Sequence, residues 1–442
     1  DPAKLLGLLF MGYVAIKPGY LSCLNNRYLK YFVNYYAYTI FVTILMAFTW
    51  PDYNPQAQGF FYGNLMRGPV QIVQVFMGLS IAIILFRGLV KPHALKRIQW
   101  VLLASMTVLS VYGIYVWAAQ KYGLPFNPIT RIGGLIGDEN DRLISTHVAG
   151  LLKVRAYSFS GEPKSLAVNA CFGVILSMFT AANYQRLFSS IRAQLILVIL
   201  FLVTLYLTYS TAGYLILPMV LLTALGCSAV TGQISRRLIA MSVLLALVGS
   251  FMIYYNPQLI AEDLAQVVNA RVNARLEDQG LFTYAEAAMV EFWKDSPVHL
   301  LTGVGLGGSA FYIRLYDTSS YSGFIAAPRG IIGFISDKGI IGLLLFSYAM
   351  LFAMRRLLRV AVTASPNRYI YGGILVICAV NCVFILTYSL WYIEWLTIGL
   401  ACAGASAAAS ELAEKRAVTY GRRFCGDALM NRGQRPFNSP KN

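Results

Sequence analysis

Charges in this chain avoid its long apolar runs, collect in the links between them, and alternate in kind from one link to the next. About eleven apolar segments can be counted, most of them near the roughly 17–25 residues that carry a helix across a bilayer. One set of links holds Lys17, Arg27 and Lys30, then Arg87, Lys91, Lys96 and Arg97, then Arg186 and Arg192. The same set continues with Arg236 and Arg237, then Arg355, Arg356, Arg359 and Arg368, and has no Asp or Glu. The other set carries most of the 19 acidic residues, concentrated in two long loops at 119–165 and 255–332. Lys and Arg on alternate links are the positive-inside signature of a polytopic membrane protein. The pattern places both long loops, and any chemistry they carry, outside the cytoplasm.

At 57% hydrophobic and 12% charged residues, an ordinary soluble domain is excluded. The expected fold is all-α, a single transmembrane domain over 1–442, because a backbone in lipid must satisfy its own hydrogen bonds. Spans are expected at 5–17, 33–49, 68–89, 97–118, 166–183, 193–208, 211–228, 238–254, 333–354, 369–388 and 390–409. The first is the weakest, interrupted by Gly7 and Gly12 and stopped by Lys17-Pro18-Gly19. Charge bias puts the basic tail 410–442 in the cytoplasm and, with eleven spans, the N-terminus outside. A chain starting Asp-Pro in that position is expected to follow a further segment, giving twelve spans in all; no secretory signal pattern is evident.

The net charge of +17 is read as lipid anchoring rather than nucleic-acid binding, since Lys415, Arg416, Arg422, Arg423, Arg432, Arg435 and Lys441 of the tail belong beside anionic headgroups. None of the seven cysteines lies in a long outer loop, and no Cys/His spacing suits zinc. Cys378 and Cys382, one helical turn apart, read as packing residues. No cofactor or metal is expected.

Both loops read as structured. In 257–279, Ile260, Leu264, Val267, Val268, Val272 and Leu276 mark one face of a helix, and 142–154 is expected to behave similarly through Leu143, Ile144, Val148, Leu151 and Leu152. Such helices lie on the outer membrane face, cap a cavity, or simply pack on the bundle. Gly303-Val-Gly305-Leu-Gly307-Gly308 lacks the preceding strand and following Lys of a nucleotide loop; it reads as a flexible or re-entrant turn allowing close backbone approach. His93, His147 and His299 are scattered and form no triad.

Arginines on the outer side run against the charge rule: Arg155 before the fifth span, Arg271 and Arg275 one turn apart, and Arg329 before the ninth. A guanidinium grips phosphate through a bidentate fork, so several around one cavity would suit a diphosphate headgroup. Pairing with Glu162, Glu277, Asp278 or lipid phosphate is the plainer role for each.

Four segments carry a family resemblance. Arg155 with Phe159, Pro163, Leu166 and Ala167 resembles the Arg-containing motif of the O-antigen ligase and polymerase superfamily, with Lys164 in place of the usual Asn. Residues 208–214, Thr-Tyr-Ser-Thr-Ala-Gly-Tyr, look like its Ser-containing motif without the common Arg. Residues 292–307 resemble its Asp-x-Pro…Gly-Val-Gly-x-Gly segment, and 337–346, opening Asp-Lys-Gly-Ile-Ile-Gly, its Glu-x-Gly-x-x-Gly run. Where ligases of the superfamily carry His-Asn, this chain has Pro328-Arg329, which favours the polymerase branch.

The resemblance implies a polysaccharide polymerase of the bacterial inner membrane, with undecaprenyl-diphosphate-linked oligosaccharides as donor and acceptor at the periplasmic face. Arg155 and Arg329 would bind the donor diphosphate, with Glu162 or Asp337 as general base. Arg271, Arg275, Lys164 and Tyr157 would hold the second lipid or the glycan. A chain-length regulator is a typical partner in the family. The alternatives are a ligase transferring glycan to lipid A–core, or a flippase or transporter. Against transport stand spans nearly free of charge and the lack of a visible repeat.

Overall fold

A computed structural model describes residues 2–50, 64–125, 145–148, 151–159, 163–181, 191–233, 284–316, 328, 330–363, 366–388 and 391–432. The first group of helices is α1 (Pro2–Ile16), α2 (Arg27–Ala47), α3 (Asn64–Leu89) and α4 (Pro92–Tyr122). Their ends have local causes. The Asn26 side chain accepts from the Tyr28 N–H at 3.0 Å and so caps α2. Pro92 opens α4, where its missing N–H has no consequence, and Gly123 closes it in the left-handed region at φ 67°.

A hairpin of β1 (Ser145–Val148) and β2 (Leu151–Val154) comes next, then α5 (Pro163–Ile175), which runs into a π-helical turn at Leu176–Ala181. After it stand α6 (Ile191–Leu207) and α7 (Thr211–Val230). In the second long loop lie α8 (Tyr284–Asp295), α9 (Pro297–Thr302) and α10 (Ser309–Tyr316). Three helices complete the bundle: α11 (Gly330–Val362), α12 (Arg368–Tyr388) and α13 (Trp391–Arg432).

Six described helices are long and apolar enough to cross a membrane: Met66–Leu89, Pro92–Tyr122, Gly213–Val230, Gly330–Val362, Arg368–Thr387 and Ile393–Glu414. Shorter apolar helices occur at Leu5–Ile16, Pro163–Phe179 and Arg192–Leu207. These are the features of a multi-pass helical membrane protein. Its outward faces agree: Phe41 and Leu45 on α2, Leu222 on α7, and Leu344 and Leu351 on α11 are exposed, as side chains meeting lipid must be. The expected span 238–254 and the expected helix 257–279 lie outside the described residues.

One expectation is corrected. The apolar spacing of 142–154 predicts an amphipathic helix, yet Ser145–Val148 pairs antiparallel with Leu151–Val154, placing Thr146 opposite Lys153 and His147 opposite Leu152. Thr146, Val148 and Val154 are β-branched and favour extended backbone. Gly150 in the sequence also disfavours a continuous helix. The second loop is structured as expected: Trp50, Met289, Phe292, Val304, Phe311 and Tyr312 form a small core of its own.

The main core lies where α11, α12 and α13 pack on one another, with α3 against α13 and α2 against α11. Small residues on α13 (Ala401, Cys402, Ala403, Ala405, Ala408) are buried and let its neighbours approach closely. Cys171, Cys378 and Cys402 are buried free thiols that fill the same interior. The tightest approach is at Gly78 of α3, where a Cβ atom would fall 1.8 Å from the Trp395 ring. Gly78→Ala should therefore lower the thermal-unfolding midpoint in detergent, by the few kcal/mol typical of overpacking, about 1–3. Gly226→Ala, which meets nothing within 4 Å, should leave it unchanged or raised. Equal midpoints for the two variants would contradict this packing.

Candidate functional site

The resemblance-carrying segments are hydrogen-bonded to each other in two pairs. In the first pair, residues 155–156 run along the end of α6. The Ala156 N–H donates to the Leu207 carbonyl at 2.8 Å and Arg155 Nε donates to the Thr208 carbonyl at 3.0 Å. Carbonyls at a helix C-terminus lack intrahelical donors, and a cation there also meets the negative end of the helix dipole. Arg155, 7% exposed, thus ties the segment before α5 to the turn that separates α6 from α7.

That turn is sharp. Tyr209 has φ 44°, a left-handed conformation that costs a non-glycine residue about 1–3 kcal/mol unless its surroundings impose it. The surroundings are visible: Thr208 Oγ1 donates to the Leu205 carbonyl at 2.7 Å, and the Tyr214 hydroxyl donates to the Tyr206 carbonyl at 2.9 Å. Beside Arg155, the buried Tyr157 hydroxyl accepts from Gln120 Nε2 at 3.0 Å, and Phe159 stacks on Tyr112 at 4.3 Å. Lys164 stands in the first turn of α5.

The second pair is built on a break in α11. Gly339 has φ 69° and ψ 175°, so the helix stops and restarts there. The carbonyls of Ser336 and Asp337 are taken up by the glycine loop instead: Val304 N–H donates to Ser336 at 2.8 Å and Gly305 N–H to Asp337 at 3.1 Å. The approach is backbone on backbone, since a Cβ on Gly339 would lie 2.2 Å from the Leu301 carbonyl oxygen. Every N–H from 303 to 308 has a partner. Gly303 donates to His299, Leu306 to Thr43 Oγ1 at 3.0 Å, Gly307 to Asp337 Oδ1 at 3.3 Å, and Gly308 to the Gly305 carbonyl. Trp50 Nε1 donates to the Val304 carbonyl at 2.8 Å and Arg67 Nε to that of Gly307 at 2.9 Å. The close backbone approach expected of this loop is present, and hydrogen bonds hold it along its length.

Asp337 is partly buried, and its Oδ1 also accepts from Ser309 Oγ at 3.3 Å. Its hydrogen-bond partners all belong to the second pair, so Asp337 and Arg155 stand in separate hydrogen-bonded neighbourhoods. His299, packed between Phe292 and Tyr312, is held below the usual histidine pKa by burial. Glu162, Arg271, Arg275 and Arg329 lie outside the described residues.

Immediately after Asp337, Lys338 turns the other way, into the bundle. Its Nζ meets Glu394 Oε2 of α13 at 2.9 Å, and only about a tenth of either side chain is exposed (10% and 9%). Glu394 Oε1 accepts from the hydroxyls of Tyr35 at 2.8 Å and Tyr36 at 3.3 Å. Lys338 also lies 4.1 Å over the Phe334 ring. The interior is thus more polar than spans nearly free of charge would suggest. The signal that could have found this pair is the charge itself, since ionisable residues inside spans are rare and mark function by default.

No protein-family model and no curated protein sequence matches the chain.

Removing one member of a buried ion pair strands the other and costs about 3–5 kcal/mol, whereas replacing both by apolar residues is often neutral. Lys338→Met and Glu394→Leu should each lower the thermal midpoint strongly, and the double variant should recover most of the loss. Simple addition of the two losses would mean the pair is not a unit.

Proposed function

We propose that this protein is a polysaccharide polymerase of the bacterial inner membrane, working at the periplasmic ends of its spans on undecaprenyl-diphosphate-linked oligosaccharides. The observation that carries the reading is the pairing of its motifs. Four segments that resemble those of one superfamily, far apart in sequence, are hydrogen-bonded two and two: 155–156 to 207–208, and 303–309 to 336–337. In this reading the chain crosses the membrane about eleven times, with both long loops outside.

Outside the cytoplasm no nucleotide drives synthesis, so the donor arrives already activated. A lipid diphosphate is a good leaving group. A hydroxyl of one lipid-linked repeat attacks the anomeric carbon of the growing chain, the bond from that carbon to the diphosphate oxygen breaks, and undecaprenyl diphosphate leaves. The hydroxyl proton passes to a carboxylate, Asp337 or Glu162. Asp337 suits the task because both its side-chain contacts fall on Oδ1, leaving Oδ2 to face a hydroxyl. Arg155 and Arg329 neutralise charge developing on the leaving oxygen. Arg271, Arg275, Lys164 and Tyr157 position the second lipid or its glycan. The scheme requires no metal, and a chain-length regulator would act from outside the reaction.

A flippase for the same lipid is the second reading, favoured by the buried Lys338–Glu394 pair, because charges inside spans also mark transport pathways. Reconstitution separates the two. Purified protein given its host's lipid-linked repeat as the sole substrate should yield a ladder of longer lipid-linked glycans. Arg155→Ala should reduce chain growth about 10²–10³-fold, and Asp337→Asn about 10²–10⁴-fold, with protein still in the membrane. Lipid movement without a ladder would support the flippase. A ladder of normal length from Arg155→Ala would remove that arginine from the site. Product appearing only when lipid A–core is added would identify a ligase.

A further inference from the structure

Behind the glycine loop lies a cavity of about 70 Å³ whose polar lining is Gln71, Gln74, Thr39, Lys338 and Glu394 and whose apolar walls include Val75, Trp395 and Leu306 of the loop. Gln71 and Gln74 project from one face of α3, three residues apart. Neither amide has a hydrogen-bond partner among the described residues. Both side chains are partly exposed, so their amides open onto the cavity and take their partners from whatever occupies it.

The lining decides what that occupant is. Its cation, Lys338, is already neutralised by Glu394, so the lining offers no net positive charge to a phosphate. Each glutamine presents two donors and an acceptor oxygen side by side, which matches groups that both donate and accept, namely hydroxyls. The volume holds a handful of waters or the edge of one sugar ring, not a whole ring. The charge alternation places Gln71, Gln74, Lys338 and Glu394 in the outer parts of their spans, with Thr39 deeper in α2. Asp337 is the residue before Lys338, and its partner Gly307 is the residue after Leu306.

We propose that this pocket is a subsite for the hydroxyl-bearing edge of a sugar ring, read by Gln71 and Gln74 behind the loop that Asp337 holds. The proposal rests on the reading of the protein as a glycan polymerase and names where that enzyme recognises its sugar.

The test uses the full chain in nanodiscs and compares two probes, the lipid-linked repeat purified from the host's membranes and undecaprenyl diphosphate without sugar. Gln71→Met and Gln74→Met keep side-chain length and remove the amide. Each should weaken binding of the glycan-bearing lipid about tenfold and leave the bare lipid unchanged, with an unaltered thermal midpoint. Gln74→Asn, which keeps an amide, should restore part of the discrimination. Equal losses for both probes, no loss for either, or a wild-type protein that does not distinguish them would overturn the subsite. So would competition by phosphatidylglycerol equal to that of the lipid-linked repeat, which would assign the pocket to a lipid headgroup. A ladder assay on the same preparations keeps the questions apart. Amide-dependent glycan binding without a ladder retains the subsite and removes the polymerase. A ladder from wild type with unaltered binding by the Met variants removes the subsite alone.

Discussion

The ion pair between Lys338 and Glu394 is the contact on which this structure turns. It sits directly beside the break at Gly339, where α11 gives up its own hydrogen bonds and depends on others. On one side of the break, Asp337 and Ser336 offer carbonyls to the glycine loop. On the same side, Lys338 turns the opposite way and reaches across to α13 and, through Glu394, to the two tyrosines of α2. A helix interrupted inside a bilayer is tolerated only where neighbouring protein satisfies the freed groups. Here α2, α9, the loop and α13 all contribute, so the break is held from several directions at once.

Glycine is required at particular points of this arrangement, for sterics rather than mobility. Gly303 and Gly339 lie so close that a Cβ on either would strike the other's backbone nitrogen at 2.6 Å, and both have positive φ. The loop brings backbone against backbone, which puts its N–H groups within reach of the released carbonyls and of Asp337. The result is a carboxylate held in a fixed position against the loop, its Oδ1 bound by Gly307 N–H and Ser309 Oγ.

Features imposed by lipid energetics are legible in the sequence, and features imposed by long-range pairing are mostly hidden. Lys and Arg on alternate links can be read one residue at a time, because each is placed by the bilayer and not by a neighbour. Close backbone approach at Gly303–Gly308 is readable from glycine density; its target, Gly339, is not, since glycine is common in spans. Residues 142–154 mislead because Leu143, Ile144, Val148, Leu151 and Leu152 fit a helical stripe, while Ser145–Val148 and Leu151–Val154 pair as two strands. Arg155 is legible as an exceptional charge, but its bond to the end of α6 depends on a turn more than fifty residues away. Lys338 and Glu394 are legible as charges inside spans, but their pairing, and the approach of Gln71 and Gln74 to them, appears only when their helices meet at one cavity.

The most direct test is a cryo-electron-microscopy map of the protein in a lipid bilayer with its host's undecaprenyl-diphosphate-linked repeat bound. The expected result is glycan density entering the cavity between Gln71, Gln74 and Glu394, with one hydroxyl within hydrogen-bonding distance of Asp337 Oδ2. Density for the glycan on any other face, with the cavity filled only by water and Asp337 turned away from substrate, would contradict a sugar-recognising polymerase site at the break in α11.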